Sequence, residues 1–157
     1  MSAKTYLVLS DSHGQTGRLS TLLMRAEALA KVNGVIHLGD GYADLEPYVA
    51  VFPEVIRVKG NCDGYGAPLS ETTLAAEVAG VRMLLTHGHP FSVKQGTDTL
   101  LLKALRENCR AALFGHTHIP YLKEKNGVLL LNPGAAMDGH FAFLKVFENG
   151  ALDAALY

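Results

Sequence analysis

Five short apolar segments of this 157-residue chain each end in one or two residues that can bind a metal ion. These endings are, in chain order, Asp11-Ser12-His13, Gly39-Asp40, Gly60-Asn61, Thr86-His87 and Gly115-His116-Thr117-His118. Together they offer carboxylate and amide oxygens and imidazole nitrogens. That donor set suits manganese, iron, cobalt or zinc better than a soft metal or an all-oxygen magnesium or calcium site. The pattern therefore predicts a transition-metal site.

The candidate ligands number seven, which is too many for one ion: Asp11, His13, Asp40, Asn61, His87, His116 and His118. Two ions about 3.5–4 Å apart that share one carboxylate would use the whole set, and such a pair hydrolyses phosphate esters. Aspartate is the natural bridge, since each of its oxygens can serve one metal. The spacing thus favours a dinuclear hydrolytic centre.

Each block also has a simpler explanation when it is taken alone. Asp11 could cap the helix that follows it, and His13 could be a solvated loop residue. The pair His116 and His118 is harder to explain, because two imidazoles directly after a buried strand are costly to place without a partner. Coincidence can account for one such block but not for five, so the metal interpretation is preferred.

Alternating secondary-structure signals explain how these residues could meet. An apolar run at 6–9, helical spacing of apolar residues over 19–30 and a second apolar run at 35–38 predict a right-handed βαβ unit with parallel strands. Side chains at the carboxyl ends of parallel strands converge on one crevice. The ligand candidates are therefore expected at a single edge of the fold.

The rest of the chain is predicted to be richer in strands. A weaker helix over 43–51 and a strand over 55–58 lead into a glycine-rich loop over 60–66. We then expect a hairpin over 72–86, a helix over 97–108, a strand over 111–114, and two hairpins over 121–131 and 141–156. Asn126-Gly127 and Asn149-Gly150 are both predicted to form type I′ turns. A β-rich second half after a βαβ start predicts an α/β fold with two packed sheets.

Composition excludes several classes of protein. The charges nearly cancel, with 14 Lys and Arg against 15 Asp and Glu, so nucleic acid is not a favoured partner. No apolar run is long enough to cross a membrane and the first residues do not resemble a signal peptide, which predicts a cytoplasmic protein. Cys62 and Cys109 form no disulfide framework. The length predicts one domain over 1–157.

The ordered blocks resemble a known family. Asp11-Ser12-His13, Gly39-Asp40, Gly60-Asn61-Cys62-Asp63, His87-Gly88-His89, Gly115-His116-Thr117-His118 and Asn132-Pro133-Gly134 are similar in order and spacing to the signature of the calcineurin-like metallophosphoesterases. Within that family the chain resembles the small bacterial and archaeal phosphodiesterases. The resemblance implies a four-layer α/β/β/α sandwich of two mixed β-sheets flanked by helices.

The resemblance also implies roles for the seven residues. Carried over block by block, one metal is held by Asp11, His13 and His118, the other by Asn61, His87 and His116, and Asp40 bridges the two. The implied cofactors are two divalent ions, with manganese first and iron, zinc, nickel or magnesium as alternatives. The implied reaction is in-line attack of a metal-bridging hydroxide on a small phosphate ester, with diesters preferred and monoesters as the alternative.

One position departs from the wider superfamily, in which a histidine thought to protonate the leaving alkoxide follows the asparagine ligand. Here that residue is Cys62, and a thiol with a pKa near ~8.5 is a poorer donor than an imidazolium near ~6.5. His89, Asp63 or water could protonate the leaving group instead. Alternatively, Cys62 is only a small buried side chain.

The remaining histidines and aromatic residues have weaker assignments. His89 is expected to contact phosphate or to support a ligand. His37 is expected to buttress the Gly39-Asp40 loop, and His140 to be structural. The phenylalanines at 141, 143 and 147 are expected in the core, with a dimer face as the lesser possibility.

A binding module is the rival to an enzyme. A eukaryotic retromer subunit resembles this fold and acts chiefly as a scaffold with a degraded metal site. All seven ligand positions are filled by competent residues here, which favours the enzyme. The chain has no inserted cap domain, so a small substrate is expected, and a homo-oligomer is possible.

Overall fold

The computed structural model describes residues 2–64 and 67–157, so Tyr65 and Gly66 at the end of the predicted glycine-rich loop lie outside it. The strands are β1 Ala3–Leu9, β2 Gly34–His37, β3 Val55–Arg57, β4 Thr73–Val78, β5 Val81–Thr86, β6 Ala111–Leu113, β7 Tyr121–Lys125, β8 Val128–Asn132, β9 Ala142–Phe147 and β10 Leu152–Leu156. The α-helices are α1 Thr16–Leu29, α2 Leu69–Thr72 and α3 Asp98–Arg106, with 3-10 segments at Tyr42–Tyr48, His89–Phe91 and Ala136–Asp138.

The strands form two mixed five-stranded sheets. The first has the order β10-β9-β1-β2-β3, in which β1, β2 and β3 are parallel. The second has the order β4-β5-β6-β8-β7, in which β5, β6 and β8 are parallel. β9 pairs antiparallel with both β1 and β10, and β4 and β7 pair antiparallel at the edges of the second sheet. The predicted βαβ start and β-rich second half are therefore confirmed.

Alternation along the first sheet divides its side chains between two apolar clusters. Tyr6 and Val8 of β1 face the second sheet, whereas Leu7 and Leu9 face α1, whose buried face includes Leu22. Successive side chains of a strand point to opposite faces, so each residue of β1 contributes to one interface only. Helix α1 therefore covers the outer face of this sheet.

The second sheet repeats the arrangement. Met83 and Leu85 of β5 pack between the sheets, whereas Leu84 packs against Leu100 and Ala104 of α3. Three apolar clusters thus separate four layers in the order helix, sheet, sheet, helix. The predicted α/β/β/α sandwich is confirmed.

The weaker helix predicted over 43–51 is not an α-helix in the structure. A 3-10 segment, Tyr42–Tyr48, takes its place and contains Pro47. Proline lacks a backbone N–H and its ring clashes with the carbonyl four residues earlier, so the segment cannot propagate as an α-helix.

One of the two predicted type I′ turns is wrong. Asn126 and Gly127 both have positive φ, 52° and 78°, as a type I′ turn requires. At the second hairpin only Gly150 has positive φ, because the Asn149 side chain accepts a hydrogen bond from the Ala151 N–H at 3.0 Å and stays in the ordinary region.

The carboxyl ends of the parallel strands of both sheets meet at one edge. The Ala136 N–H, in the loop after β8, donates to the Ser10 carbonyl at 2.7 Å, and the Met137 N–H donates to the Asp11 carbonyl at 3.2 Å. The His116 N–H, after β6, donates to Asp11 Oδ2 at 3.1 Å. These bonds connect loops of the second sheet to the end of β1 in the first.

Truncating a side chain between the sheets should destabilise the whole fold. We expect Leu85→Ala to lower the free energy of unfolding by about 2–5 kcal/mol, because Leu85 is fully buried and the sheets cannot close the cavity. Leu102→Ala, at a position 47% exposed on α3, is the matched control and should change it by less than about 0.5 kcal/mol. Urea unfolding measures both, and similar losses would contradict the layer assignment.

Candidate metal centre

The first set of side chains at this edge is a triangle of possible ligand atoms. His118 Nε2 lies 3.2 Å from Asp11 Oδ1, His13 Nε2 lies 3.4 Å from the same oxygen, and the two imidazole nitrogens are 3.2 Å apart. Asp11 is fully buried, while the two histidines are about one-third exposed. These are the three residues expected to hold one metal.

A second set lies beside the first. His87 Nε2 is 3.2 Å from Asp40 Oδ2 and 3.2 Å from His116 Nδ1. His13 Nε2, of the first set, is 3.6 Å from the same Asp40 oxygen. Asp40 therefore lies between the two sets, where the bridging role had placed it.

The donor geometry fits divalent transition metals. Two ligands about 2.1 Å from one ion, at the angles of tetrahedral or octahedral coordination, stand about 3.0–3.4 Å apart. The nitrogen and oxygen separations within each set match that range. Asp11 Oδ1 is also buried without a hydrogen-bond partner among the described residues. A buried carboxylate oxygen in that position is costly unless a cation meets it.

The two oxygens of Asp40 have different partners. Oδ1 accepts the Cys62 N–H at 2.8 Å, so Oδ2 alone faces both histidine sets. The sequence argument gave each oxygen to one metal, and the structure instead presents one oxygen to both sets. Burial opposes ionisation, but His87 and the Cys62 N–H outweigh it and hold the pKa of Asp40 well below its ordinary value.

His87 is held in one orientation. Its Nδ1 donates to the Leu38 carbonyl at 2.8 Å, which turns Nε2 toward Asp40. Burial alone would lower the pKa of His87, but the carboxylates of Asp40 and Asp11 raise it. His116 has the opposite balance, since burial first, and then His87 and Lys94, lower its pKa to about 4.

Five of the seven predicted ligands have left-handed backbone. The φ angles are 57° at Asp11, 47° at His13, 56° at Asp40, 72° at His116 and 63° at His118. Only four other non-glycine residues of the described chain have positive φ. Each such residue costs on the order of 1 kcal/mol, and such strain is concentrated at functional sites.

Two glycines let the ligand loops approach one another. A Cβ at Gly60 would lie 2.1 Å from Asp40 Oδ1, and a Cβ at Gly115 would lie 1.9 Å from Ser10 Oγ and 2.8 Å from Asp11 Oδ2. No side chain fits at such distances. The glycines in these blocks are therefore required by close packing around the two carboxylates.

Asp63 organises the bridging loop, a role that the sequence analysis missed. Its carboxylate accepts the N–H groups of Asp40 at 2.6 Å, Gly41 at 2.9 Å, Tyr42 at 3.1 Å and Gly60 at 2.7 Å. Asp63 had been considered as a proton donor to the leaving group, and these four bonds instead require it as an acceptor. The one available signal was its place in the Gly-Asn-Cys-Asp block.

His37 joins two of the ligand loops, as the sequence predicted. Its Nδ1 accepts the Gly39 N–H at 3.1 Å, and its Nε2 lies 3.0 Å from Ser12 Oγ, which donates to Asp44 at 2.7 Å. Asp44 also accepts the Gly14 N–H at 2.9 Å. Burial, outweighing the attraction of Asp63 and other carboxylates, lowers the pKa of His37 to about 4, so the ring is neutral at pH 7.

Asn61 and Cys62 lie at the open side of the centre. In the described part of the chain, the hydrogen bond of the Asn61 side chain is to Cys62 Sγ at 3.6 Å, and none joins it to His87 or His116. Cys62 is exposed, which rules out the small buried side chain. Its Sγ lies within 4.8 Å of ligand atoms of His13 and Asp40. Partial desolvation, and then Asp40, raise the pKa of the thiol.

The remaining weaker assignments from the sequence have different outcomes. The ring of His89 lies 5.4 Å from that of His87, and its buried Nδ1 has no hydrogen-bond partner among the described residues. His140 Nδ1 lies 3.3 Å from the Tyr157 carbonyl, and His140 belongs to none of the candidate ligand groups of the described residues, as expected of a structural histidine. Phe141 and Phe143 are in the core beside α1, whereas Phe147 is half-buried. Asp11 does not cap α1, which begins after Gln15.

With this geometry in hand, comparison with known proteins identifies the family. The sequence model of the calcineurin-like phosphoesterase superfamily domain matches residues 5–147. The chain belongs to this family. A probable metallophosphoesterase of Bacillus subtilis is 36% identical over 134 residues, which cover 82% of this chain and 73% of the relative. Membership agrees with the ligand blocks and with the carboxylate and histidine sets.

Two solved structures show how widely this phosphoesterase fold is shared. Vacuolar protein sorting 29 of Cryptosporidium parvum superposes with a TM-score of 0.75 at 20% identity, covering 99% of this chain and 97% of that one. A novel archaeal phosphodiesterase superposes with a TM-score of 0.70 at 20% identity, covering 98% and 99%. At these identities the likeness shows the fold alone. Among the residues that the structure describes, no helix is long and apolar enough to span a membrane.

Removing the charge of Asp63 should weaken metal binding. We expect Asp63→Asn to bind Mn²⁺ about 10–100-fold more weakly, because its amide nitrogen cannot accept the N–H groups that hold the Asp40 loop. Calorimetric titration measures the affinity. Asp153→Asn, at an exposed position on β10, is the control and should bind as the wild type does. Equal affinities for both variants would contradict the role given to Asp63.

His37 should make stability depend on pH in one direction. Its pKa is about 4 in the folded protein and near 6.5 when unfolded, so the unfolded chain binds more protons between these values. The contribution of neutral His37 to the free energy of unfolding is fully present above pH 6.5 and is lost as pH falls toward 4. We expect wild type to lose about 1–2 kcal/mol more than His37→Gln between pH 7 and pH 5. Urea unfolding with a chelator present tests this, and parallel pH profiles would refute it.

Proposed function

We propose that this chain is a metal-dependent phosphoesterase that hydrolyses small phosphate esters, with phosphodiesters as the preferred class. The observation that carries the proposal is the pair of ligand sets, with donor separations of 3.2–3.4 Å within the sets and with Asp40 Oδ2 3.6 Å from His13 of the first set. Family membership supports the reaction class. The preference for diesters rests on the resemblance of the ligand blocks to those of the small bacterial and archaeal phosphodiesterases.

Two divalent ions are the proposed cofactors, with manganese first and iron, zinc, nickel or magnesium as alternatives. Asp11, His13 and His118 would hold one, and His87, His116 and Asn61 the other, with Asp40 between them. Bound ions would supply a low-pKa water and neutralise phosphate charge. For Asn61 to serve, its side chain must turn away from Cys62 Sγ, which its exposure allows.

The protein's own contribution is to position these groups before substrate arrives. The Leu38 carbonyl orients His87, and Ser10 and the His116 N–H hold Asp11 Oδ2, leaving its other oxygen directed at the histidines. Asn132 holds the last ligand loop, because its amide nitrogen donates to the Gly115 carbonyl at 3.1 Å and to Thr117 Oγ1 at 3.0 Å. Groups fixed in this way lower the reorganisation needed during the reaction.

Cys62 is the proposed donor to the leaving group. It is exposed at the centre, and the raised pKa of its thiol keeps the proton in place at neutral pH. His89 is half-buried beside His87, where it is suited to contact the phosphate.

A scaffold of the same fold is the second candidate. The similarity to vacuolar protein sorting 29 is the observation that favours it. A protein that only docks partners has no need for seven competent ligands, whereas here each position is filled. The two candidates separate on metal content and on turnover.

Metal removal should abolish hydrolysis reversibly. We expect chelator-treated protein to lose turnover of bis(4-nitrophenyl) phosphate and to regain it on addition of Mn²⁺. His87→Ala should lower kcat/KM at least about 100-fold, because it removes a nitrogen next to both Asp40 and His116. His140→Ala, which changes a histidine outside the candidate ligand groups of the described residues, is the control and should keep activity. If the purified protein contained no metal and Mn²⁺ stimulated no turnover, the result would favour the scaffold instead.

Replacing Cys62 by histidine should help poor leaving groups most. An imidazolium with a pKa near ~6.5 donates a proton to a departing alkoxide more readily than a thiol near ~8.5. Nitrophenolate needs no such help. We expect Cys62→His to accelerate alkyl diesters more than nitrophenyl diesters, as measured by kcat on both, and equal effects would count against the assignment.

A further inference from the structure

A pocket of about 680 Å³ borders the segment 114–119, which carries the candidate ligands His116 and His118. Its wall includes Thr117, which lies between His116 and His118 in the chain, and Ile119, which follows the second of these ligands. The volume is within the range of roughly 300–1,000 Å³ typical of small-molecule sites. The proposed hydrolytic chemistry gives this pocket no role.

The pocket has an apolar and partly aromatic wall. Phe114 and Tyr121 contribute rings whose centroids are 6.0 Å apart, and Val93 lies on the opposite loop. Ile119 is 66% exposed and directly follows the candidate ligand His118, so its apolar surface is available to a bound group. A flat apolar group entering here would cover these surfaces and gain the free energy of their burial.

Two lysines give the pocket a positive charge. Lys94 is exposed at its rim, and Lys125 Nζ reaches Thr97 Oγ1 at 3.5 Å. In residues 2–64 and 67–157 neither ammonium lies within 4 Å of a carboxylate, although Asp98 also lines the pocket. Unpaired ammonium groups beside an apolar wall match a ligand that is apolar in one part and anionic in another.

We propose that this pocket binds one organic group of the ester substrate, and that this group is a flat aromatic ring carrying a second negative charge. The inference rests on the proposed function, because the metal centre would hold the phosphate while the pocket holds the ring. The preferred substrate class is therefore an aryl phosphodiester with a carboxylate or a further phosphate on the ring group. A protein segment is the rival occupant.

Three diesters that share 4-nitrophenolate as leaving group test the pocket: the methyl, phenyl and 4-carboxyphenyl esters of 4-nitrophenyl phosphate. Hydrolysis forms one P–O bond from water and breaks the P–O bond to nitrophenolate, while the protons of the water pass to solvent. With Mn²⁺-loaded protein we expect kcat/KM to rise from methyl to phenyl. The carboxylate should raise it about threefold to tenfold further, as two partly exposed ion pairs would.

Variants test which pocket residues cause the preferences for the phenyl ring and for the carboxylate. In the double variant Lys94→Met and Lys125→Met the advantage of the carboxylate should disappear, and Ile119→Ala should reduce the advantage of phenyl over methyl. Lys145→Met, which removes an exposed lysine of β9 in the other sheet, is the matched control and should keep both preferences.

The outcomes separate this inference from the proposed function. Turnover of the methyl ester with no preference for the carboxylate, or with a preference that the double variant retains, overturns the pocket assignment and leaves the hydrolytic function standing. If no ester is turned over, the hydrolytic function fails. Calorimetry with phenyl phosphate and 4-carboxyphenyl phosphate then decides: tighter binding of the carboxylate that the double variant loses supports the pocket, and equal binding overturns it.

Discussion

A buried carboxylate oxygen that accepts no hydrogen bond from the described residues governs the architecture of this protein. Asp11 Oδ2 is held by Ser10 and by the His116 N–H, and this fixes Oδ1 between the rings of His13 and His118. Such an oxygen is strongly unfavourable alone and strongly favourable next to a cation. Loops from both sheets meet at this one atom, so the two sheets are joined at the point where burial of a charge costs most.

Much of the fold followed from local patterns. The alternation in β1 and β5 and the helical spacing in α1 reflect apolar burial on known faces, which sequence records directly. Parallel pairing of β1 with β2 followed from the helix between them. The ligand blocks were visible because each comes directly after such a strand. Two local predictions were wrong, and in each a single residue overrode the regional pattern. Pro47 prevented the predicted helix, and the side chain of Asn149 bonded the backbone in place of a type I′ turn.

The supporting contacts could not be deduced in the same way. Asp63 binds four N–H groups across loops that only the tertiary fold brings together, and nothing in an isolated Gly-Asn-Cys-Asp block shows which groups those are. The lysine-lined pocket likewise combines the loop after His89 with β7, two segments about 30 residues apart. Roles that depend on contacts between distant loops can be assigned only from the tertiary structure, whereas the residue types alone predicted a candidate metal centre.

The left-handed backbone at the ligands has an evolutionary consequence. Without a bound cation, each of these aspartates and histidines keeps its conformational cost and the two carboxylates keep their burial cost, so the centre lowers the stability of the chain that carries it. Glycine or asparagine at the same positions would relieve part of that cost. A descendant released from catalysis would gain stability with each ligand it lost. Loss of these side chains is thus the thermodynamically downhill direction for this fold, and a chain that carries all seven candidate ligands does so at a cost in stability.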